Sequence, residues 1–325
     1  MTLAELLSGR QAVGKRWLAV HEAADKLWPR FGAMLERRRW PERFRHMRAI
    51  MPGYVYEPAD GGGWIMKRHG RVVTECAPLE RIVGRITRPV TIFATGPTAR
   101  DCSWERLRCG ERFIIAVNGA PSVLLEQGIR PDLHVVIDRH FVHSGAVHFE
   151  KSADVPLIGT HRSAAVLAAL MPGIFVRKPV AIVERINAWY GIPVIGQEEL
   201  RQINRDSGSP FHFPDEPDRK FRIGWSHDPA LGVFSGCTVV LSALQIAVGL
   251  GATDIEIIGM DLSNMGHAHT TGISKRPNEL VSQYDQYILP AFQVMGQALL
   301  GTGVAIRNLS PVCPLPAGLF ANDGK

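Results

Sequence analysis

The sequence predicts an α/β fold: a mostly parallel sheet with helices on both faces, preceded by a helical, basic N-terminal segment. Three observations predict it. From about residue 86, short β-branched runs alternate with stretches of helical spacing. Those runs are apolar throughout rather than every second residue, as strands covered on both faces are. Polar residues and glycines gather where the runs stop.

The elements follow in chain order. Residues 1–85 stand apart. Within 1–50, eleven Lys/Arg face five Asp/Glu, an excess of +6 that equals the net charge of the whole chain. The rest is therefore nearly neutral, which argues against nucleic acid as a partner of the main body. The basic stretch has helical spacing, is broken by Pro29 and Pro41, and carries Trp17, Trp28 and Trp40. It reads in two ways. Either it lies on an anionic membrane surface, or it packs on the main domain with a solvated basic face. ADGGGW at 59–64 marks the turn of a short hairpin.

In the domain spanning 86–325, VTIFAT (90–95) is a strand and SWERLR a short helix. RFIIAVN is the second strand, APSVLLEQG a helix, LHVVID the third strand and VPLIGT (155–160) the fourth. SAAVLAALM and CTVVLSALQIAVGLG are helices, DIEIIGMD a strand, ELVSQYDQYILPAFQVMGQALLG a helix and VAIRNLS the last strand. Residues 185–233, rich in Pro, Asp, Gly and aromatics, read as an irregular lid or acceptor loop. No apolar run approaches the ~20 residues that cross a bilayer, and the N-terminus lacks a signal-peptide core. The five cysteines are scattered without metal spacing, which predicts reduced thiols and a cytoplasmic protein.

In a doubly wound sheet, ligands bind beyond the carboxyl ends of the strands. Thr95, Gly96, Pro97 and Thr98 follow the first strand, Asn118 and Gly119 the second, and Asp138, Arg139 and His140 the third. Gly259, Asp261, Ser263, Asn264, Gly266, His267 and His269 follow the strand at 254–259. Phe-Ser-Gly-Cys-Thr (234–238) precedes the long helix, with Ser235 as expected N-cap over N–H groups suited to a phosphate. Each signal is a turn or cap residue when taken singly; TGPT is neither a dinucleotide fingerprint nor a P-loop. Together they outline a nucleotide or nucleotide-sugar site. His267-Ala-His269 has no further Cys or His at metal spacing, so no metal is expected.

IFATGPT, IIAVNGAPSVLLEQGIRPDLHVVIDRHF, GWSHDPALGVFSGCTVVLSALQIAVGLGATDIEIIGMDLS, PNEL, ILPAF and RNLS occur in one order over about residues 90–310. This order resembles the WaaZ-type lipopolysaccharide core enzymes that add a Kdo (3-deoxy-D-manno-octulosonic acid) residue. More distantly the blocks are similar to bacterial CMP-sialic acid transferases, to an archaeal-type pterin pyrophosphokinase family and to flagellin-modifying motility factors. The resemblance implies a Rossmann-like, sialyltransferase-like domain, a CMP-Kdo donor and inversion at the anomeric carbon. It also implies a lipopolysaccharide core or lipid A-Kdo acceptor reached at the inner face of the bacterial inner membrane. The departing phosphate carries one charge, so N–H groups and hydroxyls suffice to stabilise it and no obligatory metal or other cofactor is expected.

By the same resemblance, Thr95, Gly96, Pro97, Thr98, Asn118 and Gly119 hold the nucleotide, with Gly96 letting the backbone approach it. Ser235, Gly236 and Thr238 meet the phosphate and ribose, and Asp138 lies near the donor. The base that takes the acceptor proton is His269 or His267, with Asp261 competing. Arg139 or Arg162 would meet the donor carboxylate, and Tyr284 and Tyr287 either bind the phosphate or pack. Two other readings stand beside this one: an ATP- and Mg-dependent pyrophosphokinase using Asp138 and Asp261, and a non-catalytic module at the membrane surface.

Overall fold

The computed structural model describes residues 1–9, 40–216, 218, 220–262 and 279–320. Helix α1 (Leu3–Ser8) starts at a capping box in which Thr2 and Glu5 each accept the other's backbone N–H. Two 3₁₀ turns, Glu42–Phe44 and Met47–Ala49, lead into an antiparallel sheet of β1 (Tyr54–Pro58), β2 (Trp64–Arg68) and β3 (Arg71–Cys76). The β1–β2 turn spans 59–63, within the expected glycine run. Helix α2 (Leu79–Val83) then reaches the main sheet.

That sheet is built from β4 (Val90–Phe93), α3 (Trp104–Arg108), β5 (Phe113–Val117), α4 (Ala120–Glu126) and β6 (Leu133–Val136). It continues through α5 (Arg139–Ser144), α6 (Ala146–Lys151), β7 (Leu157–Gly159), α7 (His161–Leu170) and β8 (Val180–Ile182). An insertion holds α8 (Gln197–Asp206), β9 (Phe211–His212) and β10 (Trp225–Ser226). The chain returns with α9 (Val239–Gly249), β11 (Asp254–Ile258), α10 (Glu279–Ser282), a π-helical turn (Tyr284–Ile288), α11 (Leu289–Leu299) and β12 (Ala305–Asn308). Seven strands pair in parallel in the order β12-β11-β4-β5-β6-β7-β8.

Both faces of this sheet are buried, which explains the unbroken apolar runs. Val90, Ile92, Ile115, Val117, Ile255 and Ile257 pack towards α9 and α11. Their neighbours Phe93, Ile114, Ala116 and Ile258 face Leu107 and Leu124 on the opposite side. The sequence pattern missed β8, α5, α6 and α8. β8 is only three residues long, too short to show a period.

The insertion is largely irregular in backbone, as expected, but it carries a core of its own. Leu200, Ile203, Phe211, Phe221 and Phe234 form a hydrophobic cluster with Leu3 and Leu6 of α1. Asn204 hydrogen-bonds both backbone groups of Phe211, and Asn187 both of Ile195, each replacing one rung of a sheet. The described ends of the N-terminal segment also pack on the body. Trp40, 6% exposed, stacks near Phe44 and lies in one cluster with Met47. The membrane role expected of Trp40 is therefore corrected: its ring is core. Trp17 and Trp28 lie outside the described residues.

Candidate functional site at the carboxyl edge of the sheet

From β4 the chain builds outward to β8, then returns to lay β11 on the other side of β4. The topological switch, where such sheets open a binding crevice, therefore falls between β4 and β11. Here Gly96 N–H donates to Gly259 O at 2.8 Å. Asp261, 2% exposed, accepts the Thr98 N–H at 2.8 Å and also the Thr98 hydroxyl. Gly96 has an ordinary φ of −61°. A Cβ on it would sit 2.5 Å from Gly259 O and 2.6 Å from the Asp261 carboxylate. The abrupt end of the first strand thus answers to a neighbouring strand: glycine is needed so that two strand ends can touch.

One expectation changes accordingly. The Thr98 hydroxyl is spent on Asp261 rather than offered to a ligand. Asp261 is buried and both its oxygens accept from Thr98, so it anchors the TGPT turn. Thr95 is buried beside it, and Pro97 opens the 3₁₀ turn Pro97–Asp101.

Asn118 ends β5 in a left-handed conformation, φ 50°. Its N–H donates to Val135 O, and its carbonyl accepts Nε2 of His134, an imidazole that burial keeps neutral. Its side-chain Oδ1 is buried and has no hydrogen-bond partner among the described residues, a group in need of a donor. Gly119 follows as the N-cap of α4. Asp138 caps α5 by accepting the His140 N–H at 2.9 Å. The Arg139 side chain, His267 and His269 lie outside the described residues.

Before α9 the chain turns through left-handed φ values at Gly236 (48°) and Cys237 (57°). This turn moves the N-cap to Thr238, whose hydroxyl accepts the Val240 N–H, and corrects the expected cap at Ser235. Ser235 contributes its carbonyl to Thr238 N–H at 2.9 Å, while Gly236 N–H donates to Arg222 O at 2.8 Å. Buried Gln245 fixes the approach to the turn. Its Oε1 accepts from Ser226 and Phe234, and its Nε2 donates to the carbonyls of Phe234 and Leu241.

Ser235 also lines a cavity of about 250 Å³ whose other walls include Arg45, His46, Arg162, Arg185, Lys220 and Arg222. Among the described residues no aspartate or glutamate lines it. The walls come from separate parts of the chain: the 3₁₀ segment after Trp40, the ends of β7 and β8, and the β9–β10 loop. His46 donates Nε2–H to Trp189 O at 2.9 Å. Burial, together with Arg162, Arg185 and Arg45, lowers its pKa to about 4. Arg222 stacks over the Tyr287 ring at 4.5 Å and reaches Cys237 Sγ at 3.5 Å. Tyr284 donates its hydroxyl to Pro314 O, and the Tyr287 ring lies under Arg222.

The structure thus brings Arg162 and Ser235 together, as the sequence placed them, and adds Arg45, His46, Arg185, Lys220 and Arg222, which sequence reasoning missed. Arg185 had a signal, since it stands just past a strand; the strand itself went unseen.

A parallel α/β sheet with a polar crevice at its switch point and a cationic cleft beside it has the chemistry that suits phosphate- or carboxylate-bearing ligands. Two curated proteins narrow this. The chain is 27% identical over 238 residues, 70% of its length and 80% of the relative's, to the "Probable 3-deoxy-manno-octulosonic acid transferase" of Escherichia coli K12. It is 23% identical over 242 residues, 73% of its length and 87% of the relative's, to the protein of the same name from Salmonella typhimurium LT2. The resemblance read from the motifs is thus matched by these relatives. Among solved structures, the MAf glycosyltransferase of Magnetospirillum magneticum AMB-1 aligns with a TM-score of 0.41 and 17% identity, over 71% of this chain and 33% of that one. No family model matches the chain.

Proposed function

We propose that the protein is an inverting glycosyltransferase that moves Kdo, or a related 2-keto acid sugar, from a CMP-activated donor to a saccharide of the lipopolysaccharide inner core. The observation that carries this reading is the similarity to two proteins named as Kdo transferases, each covered over most of its length. In the reaction the acceptor hydroxyl attacks the anomeric carbon, its proton passes to a base, and CMP departs with the electron pair of the broken carbon–oxygen bond. The nucleotide lies across the crevice at Thr95–Thr98 and Asn118, with the orphaned Asn118 Oδ1 accepting one of its donors. The phosphate turns towards Ser235, where Arg162, Arg185 and Arg222 neutralise the phosphodiester and the sugar carboxylate. His269 or His267 takes the proton.

Among the described residues the cleft is lined by cations rather than carboxylates, which favours this over the pyrophosphokinase reading, since magnesium would need carboxylate oxygens there. The acceptor is reached at the inner face of the inner membrane. Among the described residues no helix is long and apolar enough to cross a membrane. The test is incubation with CMP-Kdo and core oligosaccharide, read by mass spectrometry. Gain of one Kdo with release of CMP is expected, and turnover of ATP without sugar transfer would sink the proposal.

A further inference from the structure

One central strand carries a polar side chain where its neighbours are apolar. In β6 the sequence is LHVV, and Leu133, Val135 and Val136 are all core. His134 is buried as deeply as they are, its ring 5.1 Å from that of Phe149. An imidazole in such a place has lost its water, and a hydrogen bond must offset the loss. Its Nε2 lies 2.7 Å from the carbonyl oxygen of Asn118. A carbonyl only accepts, so Nε2 carries the proton and Nδ1 the lone pair. Among the described residues Nδ1 has no partner. Burial, with Lys178 nearby, pushes the pKa well below 6.5 and keeps the ring neutral.

The contact restrains an unusual backbone. At φ 50° Asn118 is left-handed, a conformation that a residue with a side chain keeps only where its surroundings hold it. Both restraints come from β6. The Asn118 N–H donates to Val135 O at 3.2 Å, continuing the ladder that pairs Val117 with Val135. Its carbonyl accepts from His134, which stands level with Ala116 two residues earlier. The turn so held leaves Asn118 Oδ1 buried and, among the described residues, without a hydrogen-bond partner. It stands at the carboxyl end of β5, one strand from the switch point. Glycine would make this turn without strain, so it is the carboxamide that the strained position retains.

We infer that His134 is a positioning residue for the nucleotide: it holds the Asn118 turn so that the carboxamide oxygen meets a hydrogen-bond donor of the ligand. This rests on the CMP-donor reading above. It gives a buried imidazole a task at the crevice, exerted through Asn118 and not on the ligand itself.

The experiment is equilibrium titration of the full chain with CMP, together with thermal unfolding. It compares wild type, His134→Leu, His134→Gln, Asn118→Ala and the double variant Asn118→Ala/His134→Leu. His134→Leu fills the site without a donor and is expected to bind CMP about tenfold more weakly. His134→Gln keeps an N–H for Asn118 O and should recover most of that loss. With the carboxamide already gone in Asn118→Ala, adding His134→Leu should change CMP affinity by less than about twofold. A merely structural histidine would lower the unfolding temperature and leave the CMP affinity of the folded protein alone. Should His134→Leu not fold, His134→Met, which adapts better to the space, is read in its place. Wild-type CMP affinity in the variant lacking the donor overturns the inference, as does an equal loss with and without the Asn118 carboxamide. Wild type that binds CMP but transfers no Kdo from CMP-Kdo sinks the transferase reading and leaves the His134 assignment standing. Wild type that does not bind CMP overturns both.

Discussion

The two halves of the sheet's carboxyl edge are built on opposite principles. At β4/β11 the crevice is made by close backbone approach: Gly96 touches Gly259, and Asp261 holds Thr98 by two hydrogen bonds. At β7/β8 the cleft is lined by long cationic side chains from distant segments of the chain. The difference teaches where each half is vulnerable. The crevice has no slack, so a single methyl group disturbs it. The cleft tolerates truncation, because a shortened arginine leaves space and water, and the cost falls on ligand affinity instead of on the fold.

The sharpest way to break this contrast is Gly96→Val. Its Cβ would meet a backbone carbonyl at 2.5 Å and a buried carboxylate at 2.6 Å, neither the end of a flexible chain. The strand ends must part, so overpacking should cost about 1–3 kcal/mol or more, and CMP binding should vanish with it. Thermal unfolding and CMP titration check both. A variant as stable as wild type, with CMP affinity intact, would show that the strand ends do not depend on this contact.

Arg162→Ala and Arg185→Ala, on the other side, should fold normally and lose affinity for CMP-Kdo by about 10–100-fold each, the worth of a charge-assisted hydrogen bond. Binding by the cleft should also weaken with salt, because its cations are partly exposed and exposed charges are screened within about 10 Å at 0.1 M. Salt-independent binding of CMP-Kdo would remove the cleft from donor recognition.

Asp261→Asn tests the anchor more gently. The remaining oxygen can keep the Thr98 N–H while the new NH₂ donates to the Thr98 hydroxyl, so only the charge-assisted part is lost and about 0.5–1.5 kcal/mol is expected. Because Asp261 acts through the turn, the pH profile of turnover should keep its shape. If the profile loses its acidic limb, the carboxylate is the base after all.

Sequence reasoning singled out residues along the first half of this edge and, in the second, only Arg162 and Ser235, for a physical reason. Strands at 90–95, 112–118, 133–138 and 254–261 carry their own punctuation: an apolar run stops, and Gly, Asn or Asp marks the turn. That signal is local. Arg45 and Lys220 have no local signal, since a cation at a wall and a cation in solvent look alike in a sequence, and Arg185 follows a strand of only three residues. Only pairing β8 with β7, and packing Phe44 and Phe221 into different clusters, brings them to one cavity. The local signal also misled in detail. Gly96 and Ser235 were singled out for a ligand, yet the glycine also serves the neighbouring strand, and the cap falls three residues later because Gly236 and Cys237 turn left-handed first.

The smallest effect reports on the cleft without touching its cations. His46 is held neutral by burial and by Arg162, Arg185 and Arg45, its pKa about 4 against 6.5 unfolded. A depressed histidine binds its proton in the unfolded chain first. Between pH 6.5 and 4 the unfolded state therefore carries more protons, and stability falls as pH is lowered through that window. This contribution is complete above 6.5 and gone below about 4. An anion seated among the three arginines cancels part of their field on the imidazole. With inorganic phosphate as probe, the His46 titration should move up by about one pH unit, and the acid-induced loss of stability should shrink with it. His46→Gln keeps an N–H for Trp189 O and removes the titration, so the phosphate-dependent part of the stability profile should disappear in that variant. NMR titration of the imidazole, with unfolding midpoints from pH 4 to 7, reads both quantities. If phosphate leaves the His46 titration where it was, the cations around it do not gather an anion, and the contrast between a backbone-built crevice and an anion-built cleft fails at its second term.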